Sequence, residues 1–144
     1  MNRTLSATLA AATLALGAVA VTAADGGRKL STELTGADEV PGPGDPDGTG
    51  SFAARLNYGQ ARLCYDLSVS GIDPASMAHV HRGADGIAGP VVIGLSAPTS
   101  GSSSGCADIT RTLAEDLLKN PDGFYVNVHN AAYPGGAVRG QLGD

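Results

Sequence analysis

Short segments of alternating apolar and polar residues follow one another from Lys29 onward, separated by clusters of Gly, Pro, Asp and Ser. A period of two places every second side chain on the same face of a β-strand. The clearest example is a hairpin in which segments 49–57 and 61–69 flank the tight connection 58–60. Such spacing is typical of antiparallel sandwiches and barrels. We therefore predict an all-β fold, an antiparallel Greek-key-like β-sandwich or barrel with one short helix.

The remaining elements follow from the same pattern and from turn-forming residues. A helix is indicated only at 110–119, where Thr112 and Glu115 have the spacing of a capping box. Further strands are predicted at 29–36, 77–82, 90–95, 123–129 and 136–142. Loops are predicted at 41–48, 83–89 and 98–105, the last of them Ser- and Gly-rich and expected to be exposed and mobile.

The first 23 residues have the pattern of a secretory signal peptide. One early cation, Arg3, precedes an apolar run from Leu5 to Val21, and the small residues Thr22 and Ala23 follow it. An alanine-rich run of this length is short for a membrane span. We predict a signal peptide over 1–23, a single domain over 24–144, and a mature protein that is periplasmic or secreted and has no membrane span.

The net charge of the chain limits its partners, and its cysteines are expected to respond to the compartment. The formal net charge is −5, and removal of the signal peptide takes away only Arg3, which leaves −6. An acidic chain disfavours nucleic acid as a partner. Export exposes Cys64 and Cys106 to oxidising conditions, so we predict a disulfide between them. In the chain-entropy model such a bond stabilises the fold by about 4 kcal/mol.

The sequence contains three histidines, and they lie in two predicted strands. His79 and His81 are two residues apart, so they project from one face of their strand, while Ala78 and Val80 face the core. Two such imidazoles can bind one metal ion, and His129 from a neighbouring strand would complete a set suited to copper or zinc. The alternative is that the histidines are surface or capping residues bonded to backbone groups around the loop 83–89.

Three segments resemble the CHRD (chordin-type) domain family. They are Ala78-His79-Val80-His81, the run Gly89-Pro90-Val91-Val92, and residues 123–129 followed by 134–142. The similarity covers roughly Leu30 to Leu142. Such domains occur as repeats in chordin, an extracellular antagonist of growth factors, and as single exported domains in bacteria. The resemblance therefore implies an exported domain and fixes no activity.

A second resemblance concerns chemistry. A His-x-His strand, a later Val-x-His and a Gly-Gly-x-x-Arg segment are similar to the copper half of Cu,Zn superoxide dismutase, which is also a β-sandwich. By position this implies that His79, His81 and His129 are copper ligands and that Arg139 guides an anionic substrate, superoxide. The chain has no fourth histidine to bridge two metals, so the resemblance implies copper alone rather than zinc. The alternative for Arg139 is a solvent-facing strand cation.

Three functional hypotheses follow. The first is an exported copper-binding protein with superoxide dismutase activity, and the second is a non-catalytic extracytoplasmic binding module. The third is a copper carrier or buffer without turnover, in which Met77 adds a soft ligand. A Ser-His-Asp hydrolase is disfavoured, because the serines and threonines of 98–104 have no neighbouring histidine.

Overall fold

The computed structural model describes residues 26–143, so the predicted signal peptide lies outside the described residues. The described part contains eight β-strands and one α-helix, in chain order β1 (Arg28–Thr35), β2 (Thr49–Asn57), β3 (Arg62–Ser70), β4 (Ala75–Arg82), β5 (Val91–Leu95), β6 (Ser102–Asp108), α1 (Arg111–Lys119), β7 (Phe124–Asn130) and β8 (Val138–Gln141). The predicted all-β class with one short helix is confirmed. Within these residues no helix is both long and apolar enough to cross a membrane.

All eight strands join one antiparallel sheet, in the spatial order β5-β4-β7-β8-β1-β2-β3-β6. The two C-terminal strands lie between β4 and β1, so they tie the middle of the chain to its beginning. The sheet curls until its edge strands β5 and β6 approach each other, which gives a nearly closed barrel. This insertion of β7 beside β4 is what brings the two histidine-bearing strands together.

The interior of the barrel is filled by the apolar side chains that the alternation predicted. In β2 these are Phe52, Ala54 and Leu56, and in β3 they include Leu63 and Leu67, all of them buried. The amphipathic helix α1 buries Ala114 and Leu117 against the same core. Fully burying a side chain of this size stabilises the fold by about 1.5–3 kcal/mol.

Strand β7 departs from simple alternation, because all seven of its residues are buried. Its inner side chains, Val126 and Val128 among them, lie in the core. Its outer side chains are covered by three connecting loops, 36–48, 83–90 and 131–137, which bond to this face. The loops therefore bury a polar layer, a second interior, between themselves and the outer face of the barrel.

Two predictions of local structure were wrong. Segment 98–105 is not entirely loop, because Ser102 begins strand β6, which pairs with β3 along seven register positions. Side chains of β6 alternate only between exposed and half-buried, so this strand carries no hydrophobic pattern and is held by its main-chain pairing. The helix cap is also different: Thr110, not Thr112, caps α1, and its Oγ1 accepts a hydrogen bond from the Leu113 N–H at 3.1 Å.

The predicted disulfide is confirmed. Cys64 and Cys106 lie directly opposite each other in the β3–β6 pairing and are bonded. The bond joins positions 42 residues apart in sequence. It ties the poorly buried edge strand β6 to a strand that is anchored in the core.

Replacing both Cys64 and Cys106 by Ala should lower the free energy of unfolding by up to about 4 kcal/mol. Because β6 buries little apolar surface, we also expect its amides to lose more hydrogen-exchange protection than those of β1 or β2. Urea unfolding and native-state hydrogen exchange of oxidised wild type and the double variant measure the two effects. Equal protection loss across all strands would contradict the local role assigned to the bond.

Candidate metal centre

Strands β4 and β7 position every side chain of the candidate centre. In their antiparallel register His79 faces Asn127, His81 faces Tyr125 and Met77 faces His129. Ala78 and Val80 are buried in the barrel core. The pleat therefore sends His79, His81 and His129 to the outer face, as the sequence predicted.

The three histidines lie together on that face. One ring nitrogen from each lies within 4.8 Å of the others, and His79 Nδ1 is 3.1 Å from His129 Nε2. Within residues 26–143 no carboxylate or thiolate joins them. The expectation that His129 would approach the pair from a neighbouring strand is thus met, and the group can hold a metal ion.

Backbone carbonyls fix the orientation of two rings. His81 Nδ1 lies 2.8 Å from the Gly89 carbonyl oxygen, and His129 Nδ1 lies 3.0 Å from that of Pro134. Because a carbonyl only accepts, each Nδ1 carries the proton and donates it. In the neutral rings the unprotonated Nε2 of His129 then accepts from His79 Nδ1, and the Nε2 of His81 keeps a free lone pair. This is the usual arrangement of metal-binding histidines. If the histidines only bonded backbone groups around the loop 83–89, the contact of His81 Nδ1 would be explained. Its buried Nε2, however, has no hydrogen-bond partner among the described residues.

The environment favours the neutral form of two of the rings. Burial lowers the pKa of His79 below its ordinary value, and the neighbouring His129 and His81 lower it further. Burial also lowers the pKa of His129, opposed by its hydrogen bond to Pro134. Neutral imidazole is the form that binds metal, so these rings are available at neutral pH.

One side of the cluster is open to solvent. His81 and His129 are buried, whereas His79 is only partly so. Across the sheet His79 faces Gly94 of β5, and nothing lies within 4 Å of where a Cβ on Gly94 would stand. The partly exposed His79 and the open space at Gly94 therefore form the solvent-facing side of the cluster.

Arg139 lies beside the cluster but is not a surface residue. It is 1% exposed, so the solvent-facing alternative is wrong. Its guanidinium carbon is 3.4 Å from the centroid of the Tyr125 ring, which in turn stacks on His81 at 4.7 Å. Arg139 Nη2 donates to the carbonyl oxygens of Ala84 and Ile87. Arg139 thus holds the loop 83–89 against β7 and β8.

Sequence reasoning missed Glu39, which completes this polar interior. Glu39 is 5% exposed, bonds to the Asn127 side chain and lies where a Cβ on Gly136 would stand. Burial raises its pKa to about 7, although the positive charge of Arg139 opposes the change. Among the residues that the structure describes, Glu39 Oε1, Asn127 Oδ1 and Arg139 Nη1 find no hydrogen-bond partner. In the sequence Glu39 is one acid in a Gly- and Pro-rich segment, and no pattern marks it.

Replacing Glu39 by Gln should flatten the pH dependence of stability. The folded-state pKa of about 7 lies above the ordinary 4.5, so the folded protein holds this proton where the unfolded chain has lost it. The stabilisation that the bound proton of Glu39 contributes is fully present below pH 4.5 and is lost as the pH rises through 7. At its full value it adds roughly 3 kcal/mol to the free energy of unfolding. Urea unfolding across this range measures it.

The histidines are unchanged in Glu39→Gln, so the difference between the two proteins isolates Glu39. Asp66→Asn is the matched control, because Asp66 is an exposed carboxylate on β3 that is not among the groups acting on Glu39. That variant should keep the wild-type pH dependence. If Glu39→Gln keeps it as well, the raised pKa is refuted.

Comparison with known proteins assigns a family to this architecture. The family model described as the CHRD domain matches residues 30–142. The matched region runs from within β1 to the end of β8 and includes the three histidines, Arg139 and both cysteines. Searches of curated proteins and of solved structures found no match. Because the family model covers well over half of its length, the chain belongs to the CHRD domain family.

Proposed function

We propose that this protein is an exported copper-binding domain whose ion is held by His79, His81 and His129. The observation that carries the proposal is the convergence of three ring nitrogens within 4.8 Å, two of the rings being oriented by backbone carbonyls. Imidazole suits both copper and zinc, but the affinity of divalent ions for such a site peaks at copper. When bound, copper would supply one-electron redox chemistry at an accessible position.

Export is part of the proposal. Membership of the CHRD family supports an extracytoplasmic binding module, and the disulfide is consistent with an oxidising compartment. The apolar run that ends at Val21 and the small residues after it support cleavage behind Ala23.

N-terminal sequencing of protein recovered outside the cytoplasm should therefore begin at or near Ala24. The reason is the small-residue exit that follows the apolar run, which signal peptidases recognise. Recovery of an intact chain that begins at Met1, and only in the cytoplasm, would contradict export.

Replacing any one of His79, His81 and His129 by Ala should weaken Cu(II) binding strongly. Losing a residue that only supports a ligand typically weakens binding by roughly 10- to 100-fold, and we expect a larger effect here. Each supplies a nitrogen and the sequence has no spare histidine. Affinity should also fall as the pH drops below the histidine range. Because the pKa values of His79 and His129 are lowered, the fall should come at lower pH than for an ordinary imidazole. Competition titration with a chelator measures both.

Asp85→Asn is the control for this titration, because Asp85 is an exposed carboxylate on the adjoining loop. It should bind copper like the wild type. Binding that survives loss of all three histidines would end the proposal. Zinc titrated in the same way should bind more weakly than Cu(II).

Superoxide dismutation is the more specific proposal. Arg139 keeps an unpartnered Nη1 and places a positive charge beside Asn127, the strand neighbour of His79. In a superoxide-decay assay of copper-loaded protein, Arg139→Gln should slow the reaction and flatten its salt dependence, whereas Arg139→Lys keeps the charge and should retain the salt dependence although it loses the two carbonyl hydrogen bonds. Tight copper binding without superoxide decay would make the protein a copper carrier or a non-catalytic module.

A further inference from the structure

We propose that the Met77 thioether is a fourth ligand of this centre and makes it selective for monovalent copper, Cu(I). The inference rests on the proposed copper function and adds the oxidation state of the ion that the site prefers. It assigns a role to a side chain that neither the fold nor the histidine cluster requires.

Register places Met77 beside the histidines. It faces His129 directly across the β4–β7 pairing, and side chains so opposed have Cβ atoms about 4.5–5.5 Å apart. Met77 also precedes His79 by two residues in β4, so the pleat sends both to the outer face. Met77 is therefore next to two of the three rings, one on its own strand and one on the adjacent strand.

A β-bulge holds this end of the strand in place. The register shifts between Ala75 and Met77, which leaves Ser76 as the extra residue. Ser76 Oγ donates to the carbonyl oxygen of His129 at 3.3 Å. The bulge thus ends just before Met77, and regular pairing with β7 begins at the position where the thioether faces His129.

The thioether of Met77 is accessible from solvent, because the residue is 47% exposed. It lies on the open side of the centre, where His79 is partly exposed and Gly94 contributes no side chain. Its flexible side chain can therefore change rotamer to contact an ion held by the rings without displacing any part of the core.

The ligand chemistry points to the reduced ion. Soft thioether sulfur selects Cu(I), whereas imidazole nitrogen accepts copper in either state. Three neutral nitrogens and one thioether carry no charge, which suits a monovalent ion better than a divalent one. A thioether at the solvent side would let Cu(I) exchange at the surface while the two buried rings keep their orientation.

The test compares Cu(I) and Cu(II) affinities of wild type and Met77→Leu, a change that removes the sulfur and keeps a similar volume. Cu(I) is kept reduced with ascorbate and titrated against a Cu(I) chelator, because a thiol reductant would also attack the disulfide. We expect Met77→Leu to weaken Cu(I) binding by roughly 10-fold or more, because one of four ligands is lost while the three nitrogens remain, and to leave Cu(II) binding unchanged.

Val91→Ala is the matched control. Val91 is also an exposed apolar residue beside the centre, facing His81 from β5, but it offers no ligand atom. It should leave both affinities unchanged. Since neither Met77 nor Val91 is part of the core, both variants should fold.

A second readout observes the sulfur directly. The sequence has only two methionines, Met1 and Met77, so a methyl-labelled sample gives an uncrowded NMR spectrum in which Met77→Leu assigns the signal. Ag(I), a redox-inert monovalent probe, should shift the Met77 methyl resonance. An unmoved methyl signal together with wild-type Cu(I) affinity in Met77→Leu would overturn the inference. If the histidine variants still lose copper in that case, the proposed function stands, whereas wild type that binds no copper would refute both.

Discussion

The antiparallel pairing of β4 with β7 is the constraint on which the rest of the site depends. One register decides that His79, His81 and His129 share the outer face, and that Met77 stands opposite His129. A slip of β4 by one residue would turn Met77, His79 and His81 toward the barrel core and away from His129. The apolar inner residues Ala78, Val80, Val126 and Val128, all buried, prevent that slip. Core packing on one side of the sheet thereby fixes ligand geometry on the other.

The outer face of β7 is unusual because it is polar and still buried. The loops that cover it bring carbonyl oxygens to His81 and His129, and Arg139 fastens one of those loops by two hydrogen bonds. Burying unpartnered polar atoms costs about 1–3 kcal/mol each. Within residues 26–143 such atoms lie on this face at Glu39, Asn127, His81 and Arg139, beside the three converging imidazoles.

Strand periodicity was enough to predict the barrel strands, the disulfide partners and the face on which the histidines lie, because all three follow from local alternation or from composition. It failed for β6, whose Ser-rich residues 102–105 bury too little to carry a pattern. It also gave no sign of Glu39 or of the burial of Arg139, because both result from loops that fold back over a strand distant in sequence. Local sequence thus predicts which residues share a face, whereas burial on that face depends on tertiary contacts.

Copper X-ray absorption of the loaded protein shows directly whether the three histidines bind the ion. In the Cu(II) state we expect scattering from three imidazole rings, with nitrogens at about 2.0 Å, the distance at which imidazole binds a divalent ion. The three rings should be His79, His81 and His129, because the sequence contains no others. A spectrum with only oxygen and non-imidazole nitrogen neighbours would contradict the account.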